Sequence, residues 1–156
     1  MEDLRVLFFF YIIQGLLMVI AGVQFFDLKI NNKQIIAVGA CYGLVIWLVR
    51  GVYSYYSIPL GTHTIVLAIL FCIIIKIITK TPVYYAVGIS LMSFCLVMLG
   101  VGVVAFAIKL NSLNLEQIMS NIWLNILFGH IENSILIIFM VVSRLLKFNI
   151  SNINRG

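Results

Sequence analysis

Charge is what this chain has least of. Of its 156 residues only 10% are Asp, Glu, Lys or Arg, five of them acidic, whereas 63% are hydrophobic. Water-soluble domains carry about 25% charged residues, so so short a chain has no soluble core large enough to hide its apolar surface. Lipid must serve as solvent for much of it. Cysteine is scarce: Cys41, Cys72 and Cys95 all fall inside apolar runs, without Cys-x-x-Cys or Cys/His spacing. That excludes a disulfide framework and a zinc site, and no metal or cofactor is expected. Proline occurs twice and no polar linker, repeat or second domain interrupts the chain. Gly-x-Ser-x-Gly, a P-loop, His-Glu-x-x-His and paired carboxylates are all missing, so enzyme activity is not expected. Although the net charge is +5, the ten Lys and Arg stand singly. Spread in this way they flank membrane spans and do not form a nucleic-acid surface.

What the chain has is a series of long apolar runs. A membrane-spanning helix needs about 20 such residues, and five runs qualify, at about 4–26, 35–55, 59–78, 82–110 and 122–146. The expected fold is therefore all-α: a single bundle of five transmembrane helices occupying residues 1–156. The first run follows the acidic start Met1-Glu2-Asp3 and lacks a small-x-small cleavage pattern, so it reads as a retained span and not as a signal peptide. Pro59 and Pro82 suit the first turns of spans three and four, with Thr81 as an N-cap. The short link Lys80-Thr81 makes those two spans an antiparallel hairpin. Asn114 with Gln117 resembles a capping box, which predicts a short surface helix over 114–120.

Positive charge sets the expected orientation. With the N-terminus outside, Lys29, Lys33, Lys76, Lys80, Arg144, Lys147 and Arg155 fall on the cytoplasmic side, and Arg5, Arg50 and Lys109 fall outside. Seven against three favours an external N-terminus and a cytoplasmic C-terminus.

In that topology polar residues from four spans converge on the outer half of the membrane. Glu132 and Gln14 each lie about ten residues in from the outer ends of their spans, or roughly 15 Å, near the midplane. Arg50 lies five or six residues below the outer end of span two, and His63 opens span three from the same side. An ionisable group inside lipid costs at least a few kcal/mol and marks a candidate site. Arg50 can snorkel outward or pair with Glu132, and such a pair can be structural alone. Asn125, Glu132 and Asn133 share a helical face with Gly129, whereas His130 stands about 200° around the helix from Glu132. The candidate ligand-binding or ion-pair residues are thus Arg50, Glu132, His130, His63, Gln14, Asn125 and Asn133. His130 also reads as an ordinary packed histidine, and Gln14 as a bond between helices. Gly15 with Gly22, and Gly39 with Gly43, put small residues on helix faces suited to close packing.

The succession Tyr11-Ile-Ile-Gln-Gly15, Tyr42-Gly-Leu-Val-Ile-Trp-Leu-Val-Arg50, Ile58-Pro-Leu-Gly-Thr-His-Thr64 and Trp123-Leu-Asn-Ile-Leu-Phe-Gly-His-Ile-Glu132 resembles the N-terminal membrane region of sensor histidine kinases of Gram-positive bacteria. That resemblance covers most of the chain. It implies a signal-receiving module in the bacterial cytoplasmic membrane, and the depth of the polar groups puts the expected ligand in the outer half of the bilayer. With about ten residues after the last span, no kinase domain is expected within the chain, so it would be a stand-alone sensor, a regulatory partner or a piece of a longer kinase. The expected partners are membrane lipid and a cytoplasmic or membrane signalling protein or a second copy. Two other classes compete: a small transport protein, whose importer form usually has six spans, and a structural scaffold.

Overall fold

A computed structural model describes residues 3–56, 62–110, 118 and 121–146. Among them are five helices long and apolar enough to cross a membrane, and no strands: α1 (Leu4–Phe25), α2 (Asn32–Tyr55), α3 (Thr62–Thr79), α4 (Val83–Leu110) and α5 (Ile122–Leu145). Such a set suits a multi-pass membrane protein, because a helix satisfies its own backbone polar groups where no water can. The bundle exterior agrees: Phe8, Ile69, Leu91, Leu99 and Ile138 are all exposed. The start of span three at Pro59 and the surface helix over 114–120, Ile118 apart, lie outside the described residues.

Local chemistry fixes the helix ends. Asn31 accepts from the Lys33 amide at 3.1 Å while Gln34 Oε1 accepts from the Asn31 amide at 3.3 Å, a reciprocal cap that starts α2 three residues before its expected limit. Asn121 caps α5 by accepting from the Trp123 and Leu124 amides. α1 stops where Asp27 turns left-handed at φ 53°, with the Leu28 amide bonded back to Val23 and the Asp27 amide to Gln24. Lys80, at φ 56°, ends α3 in the same conformation and allows the tight hairpin into α4. Thr81 does not cap α4 as its position suggested. Its hydroxyl pairs with that of Thr79 at 2.9 Å, and the Pro82 carbonyl accepts from the Tyr85 and Ala86 amides instead.

Consecutive helices run antiparallel, which makes α1 and α5 parallel. Gly15 faces Gly39 and Gly43 faces Ile12 across α1 and α2, so closely that a methyl on Gly15 would stand 2.7 Å from the Gly39 carbonyl. Tyr42 lies against Phe71 between α2 and α3, and Ser90 donates to the Ala68 carbonyl between α3 and α4. Ser93 reaches from α4 to the Met18 carbonyl of α1 at 2.8 Å. α1 therefore touches α2, α4 and α5 and forms the axis of the bundle. In its most apolar stretch 61% of residues are buried, against 17–28% in the other four helices.

The axis is not a regular α-helix throughout. Leu7–Tyr11 form a π-helical turn, closed by the Ile12 amide donating to the Leu7 carbonyl. The wider turn shifts the register of everything before it relative to Gln14, and Leu7, Phe10 and Tyr11 are all buried. Such turns recur at functional sites.

Candidate functional site

The π-helical turn sets the register at which α1 meets α5. Phe10 lies over Gly129, where a methyl group would stand 2.6 Å from the ring, so glycine is what lets the two helices close there. One turn further along both helices, Gln14 Nε2 donates to Glu132 Oε1 at 2.7 Å. From the other side, Gly100 of α4 abuts the Glu132 main-chain carbonyl closely enough that any side chain would collide. Glu132 is thus fixed by backbone contact to α4 and by a charge-assisted hydrogen bond to α1, a bond type that is shorter and stronger than a neutral one.

Glu132 and Gln14 line a cavity of about 130 Å³ to which all five helices contribute. Arg50, His63 and Thr64 line it nearer the N-terminal ends of α1, α3 and α5; Leu67, Phe94 and Val97 supply apolar wall. The second oxygen of Glu132 takes no hydrogen bond from the described residues, and Glu132 lines this space.

Arg50 points into the bundle. Its guanidinium carbon lies 5.3 Å from the centroid of the Tyr11 ring, a cation–π arrangement, and Tyr11 is fully buried. The outward snorkel weighed from the sequence is therefore not adopted. Glu132 takes its bond from Gln14 and not from Arg50, which lines the same cavity. His63, against Tyr53 with ring centroids 5.8 Å apart, lies on the cavity wall.

The remaining sequence candidates are not on that wall. His130 is on the exposed side of α5, as its 200° offset from Glu132 dictates, and Asn125 is half-buried away from the cavity. Asn133 is fully buried on the Ile126–Gly129–Leu136 stripe, and neither its Nδ2 nor its Oδ1 has a hydrogen-bond partner among the described residues. Leaving a buried polar group unbonded costs about 1–3 kcal/mol. Among the described residues no three His, Cys, Asp or Glu side chains gather as a metal site would require.

Sequence reasoning missed Tyr11, Thr64 and a second polar contact further along the α1–α5 seam. There Gln24 Nε2 donates to the Met140 carbonyl at 2.8 Å and to Ser143 Oγ at 3.1 Å. Gln24 is a polar residue in an apolar run two residues from the end of its span, a place where contact with water explains it equally well.

Comparisons with protein-family models, with curated proteins and with solved structures return no match.

Proposed function

We propose that this protein is a signal-receiving or regulatory module of the bacterial cytoplasmic membrane, with its N-terminus outside, its C-terminus in the cytoplasm and no catalytic role. A ligand enters from the outer half of the bilayer and settles among Arg50, His63, Gln14 and Glu132. The packing of α5 on α1 then changes, and the parallel seam carries the shift to a cytoplasmic or membrane-bound signalling partner. The observation that carries this reading is the cavity itself: it is lined from all five helices and floored by Glu132, whose one hydrogen bond crosses to the central helix. A ligand bonding the open carboxylate oxygen acts directly on the α1–α5 contact. The resemblance to sensor-kinase membrane regions supports the same reading.

Transport is the second reading, favoured by one observation: a carboxylate with an open oxygen sits about halfway along the bundle, where a coupling or substrate-binding group would stand. Proteoliposomes separate the two. A sensor is expected to show a changed distance between spin labels at Asp27 and Leu145 when Glu132→Gln is introduced, with no Glu132-dependent flux of protons, alkali cations or amino acids. Flux that disappears in Glu132→Gln would overturn the sensor in favour of a carrier.

A further inference from the structure

The walls of the cavity carry one charge of each sign at different depths. Arg50 lines it with His63 and Thr64 nearer the N-terminal ends of α1, α3 and α5, and Glu132 lies deeper, bonded to Gln14. The two do not share the bond that fixes the carboxylate, which is given by Gln14 and leaves the other oxygen without a hydrogen bond from the described residues, on a residue that lines the cavity. Much of the remaining lining is apolar, including Leu67, Phe94 and Val97. A ligand with net charge would add that charge to a region of low dielectric, where ions are costly. A neutral apolar ligand would cover the second oxygen of Glu132 without bonding it, and a buried acceptor left unbonded is penalised.

We infer that the ligand is a small zwitterion, whose amine bonds the open oxygen of Glu132 and whose acid group faces Arg50, with a short apolar body between. Such a molecule complements both walls and brings no net charge into the membrane. The cavity volume of about 130 Å³ is close to that of protein cavities that hold one benzene-sized guest, so the body is limited to a handful of heavy atoms. An amino acid or ω-amino acid has this form; a peptide or a lipid headgroup exceeds it. This inference rests on the cavity being the ligand site proposed above.

The test uses the full chain in nanodiscs and titrates short ω-amino acids against alkylamines and alkanoates of matched length, reading binding by calorimetry. The zwitterion is expected to bind at least about tenfold tighter than either singly charged analogue, the discrimination given by one charged hydrogen bond. In Glu132→Gln the preference over the alkanoate should vanish, and in Arg50→Gln the preference over the alkylamine, while Arg50→Lys retains part of it. Unchanged thermal unfolding of each variant confirms folding. Equal binding of one singly charged analogue, or no binding of any probe, overturns the zwitterion. Whether the cavity reading falls with it is decided separately, by labelling Leu67→Cys with a small polar thiol reagent: reaction leaves an open cavity with a different ligand, and protection removes both.

Discussion

Two polar contacts tie the central helix to α5, and they differ in what surrounds them. In the layer nearer the starts of both helices, Gln14 bonds Glu132, one carboxylate oxygen is left open, and a cavity adjoins the pair. In the layer nearer their ends, Gln24 bonds both the Met140 carbonyl and the Ser143 hydroxyl, with Phe25 packed on Phe139 alongside. Both use a glutamine amide from the same helix. One layer spends all its donors on fixed partners and acts as a clasp; the other keeps an acceptor in reserve and has room beside it. The difference teaches that a polar group inside an apolar bundle is not by itself a site. What separates the two is an acceptor left open towards a space.

The largest expected effect sharpens the contrast through glycine. Gly100 abuts the Glu132 backbone carbonyl, which cannot step aside, whereas Gly22, near the second layer, abuts the side chain of Ile89, which is stiff but can give way more than a helix backbone can. Gly100→Val should therefore lower stability by about 3 kcal/mol, at the upper end for overpacking, and Gly22→Val by clearly less. Unfolding in a denaturing detergent series measures both, and equal losses would break the distinction.

Gln14→Leu strips the carboxylate of its donor and should cost about 2 kcal/mol, the penalty for stranding a partly buried charged acceptor. Glu132→Gln combined with it should recover much of that loss, because the stranded charge is gone. Gln24→Leu removes only neutral bonds, which inside membrane bundles average about 0.6 kcal/mol and reach about 1.7. A loss of about 1 kcal/mol is expected there. If Gln24→Leu proved the costlier of the two glutamine substitutions, the ranking of the layers would be reversed.

Asn133 gives the smallest change and the opposite sign. Its polar atoms are buried without partners among the described residues, and a leucine of similar shape replaces them without stranding anything. Asn133→Leu should leave stability unchanged or raise it by up to about 1 kcal/mol in the same unfolding series. A clear loss would mean that Asn133 serves a polar contact essential to the fold.

Much of the architecture was legible from residue order. The five spans follow from hydropathy, and their limits differ from the observed helices by at most three residues where both are described. The early start of α2 was itself written in the sequence, in Asn31 with Gln34 at capping-box spacing. The common depth of Gln14 and Glu132 follows from counting 1.5 Å per residue. The partner of Glu132 does not, because depth leaves both Gln14 and Arg50 within reach. Arg50 has a long side chain and finds the Tyr11 ring, whose position depends on the π-helical turn. A π turn leaves no periodicity to read in so uniformly apolar a stretch. For the same reason hydropathy could not rank the helices: α1 is the axis because Gly15 admits α2 and Gly22 admits α4 two turns further along the same face, and hydropathy does not say which neighbours fill that face.

The account is tested most directly by comparing two equally buried positions, one on each layer. Leu67 is 6% exposed but lines the cavity; Ser143 is 4% exposed and lies in the clasp with Gln24. With Cys41, Cys72 and Cys95 replaced by alanine, Leu67→Cys and Ser143→Cys can be titrated side by side with a small polar thiol reagent in native membranes. Faster reaction at Leu67→Cys, slowed by a bound ligand, is what the account predicts. Equal rates at the two positions, or faster reaction at Ser143→Cys, would contradict it.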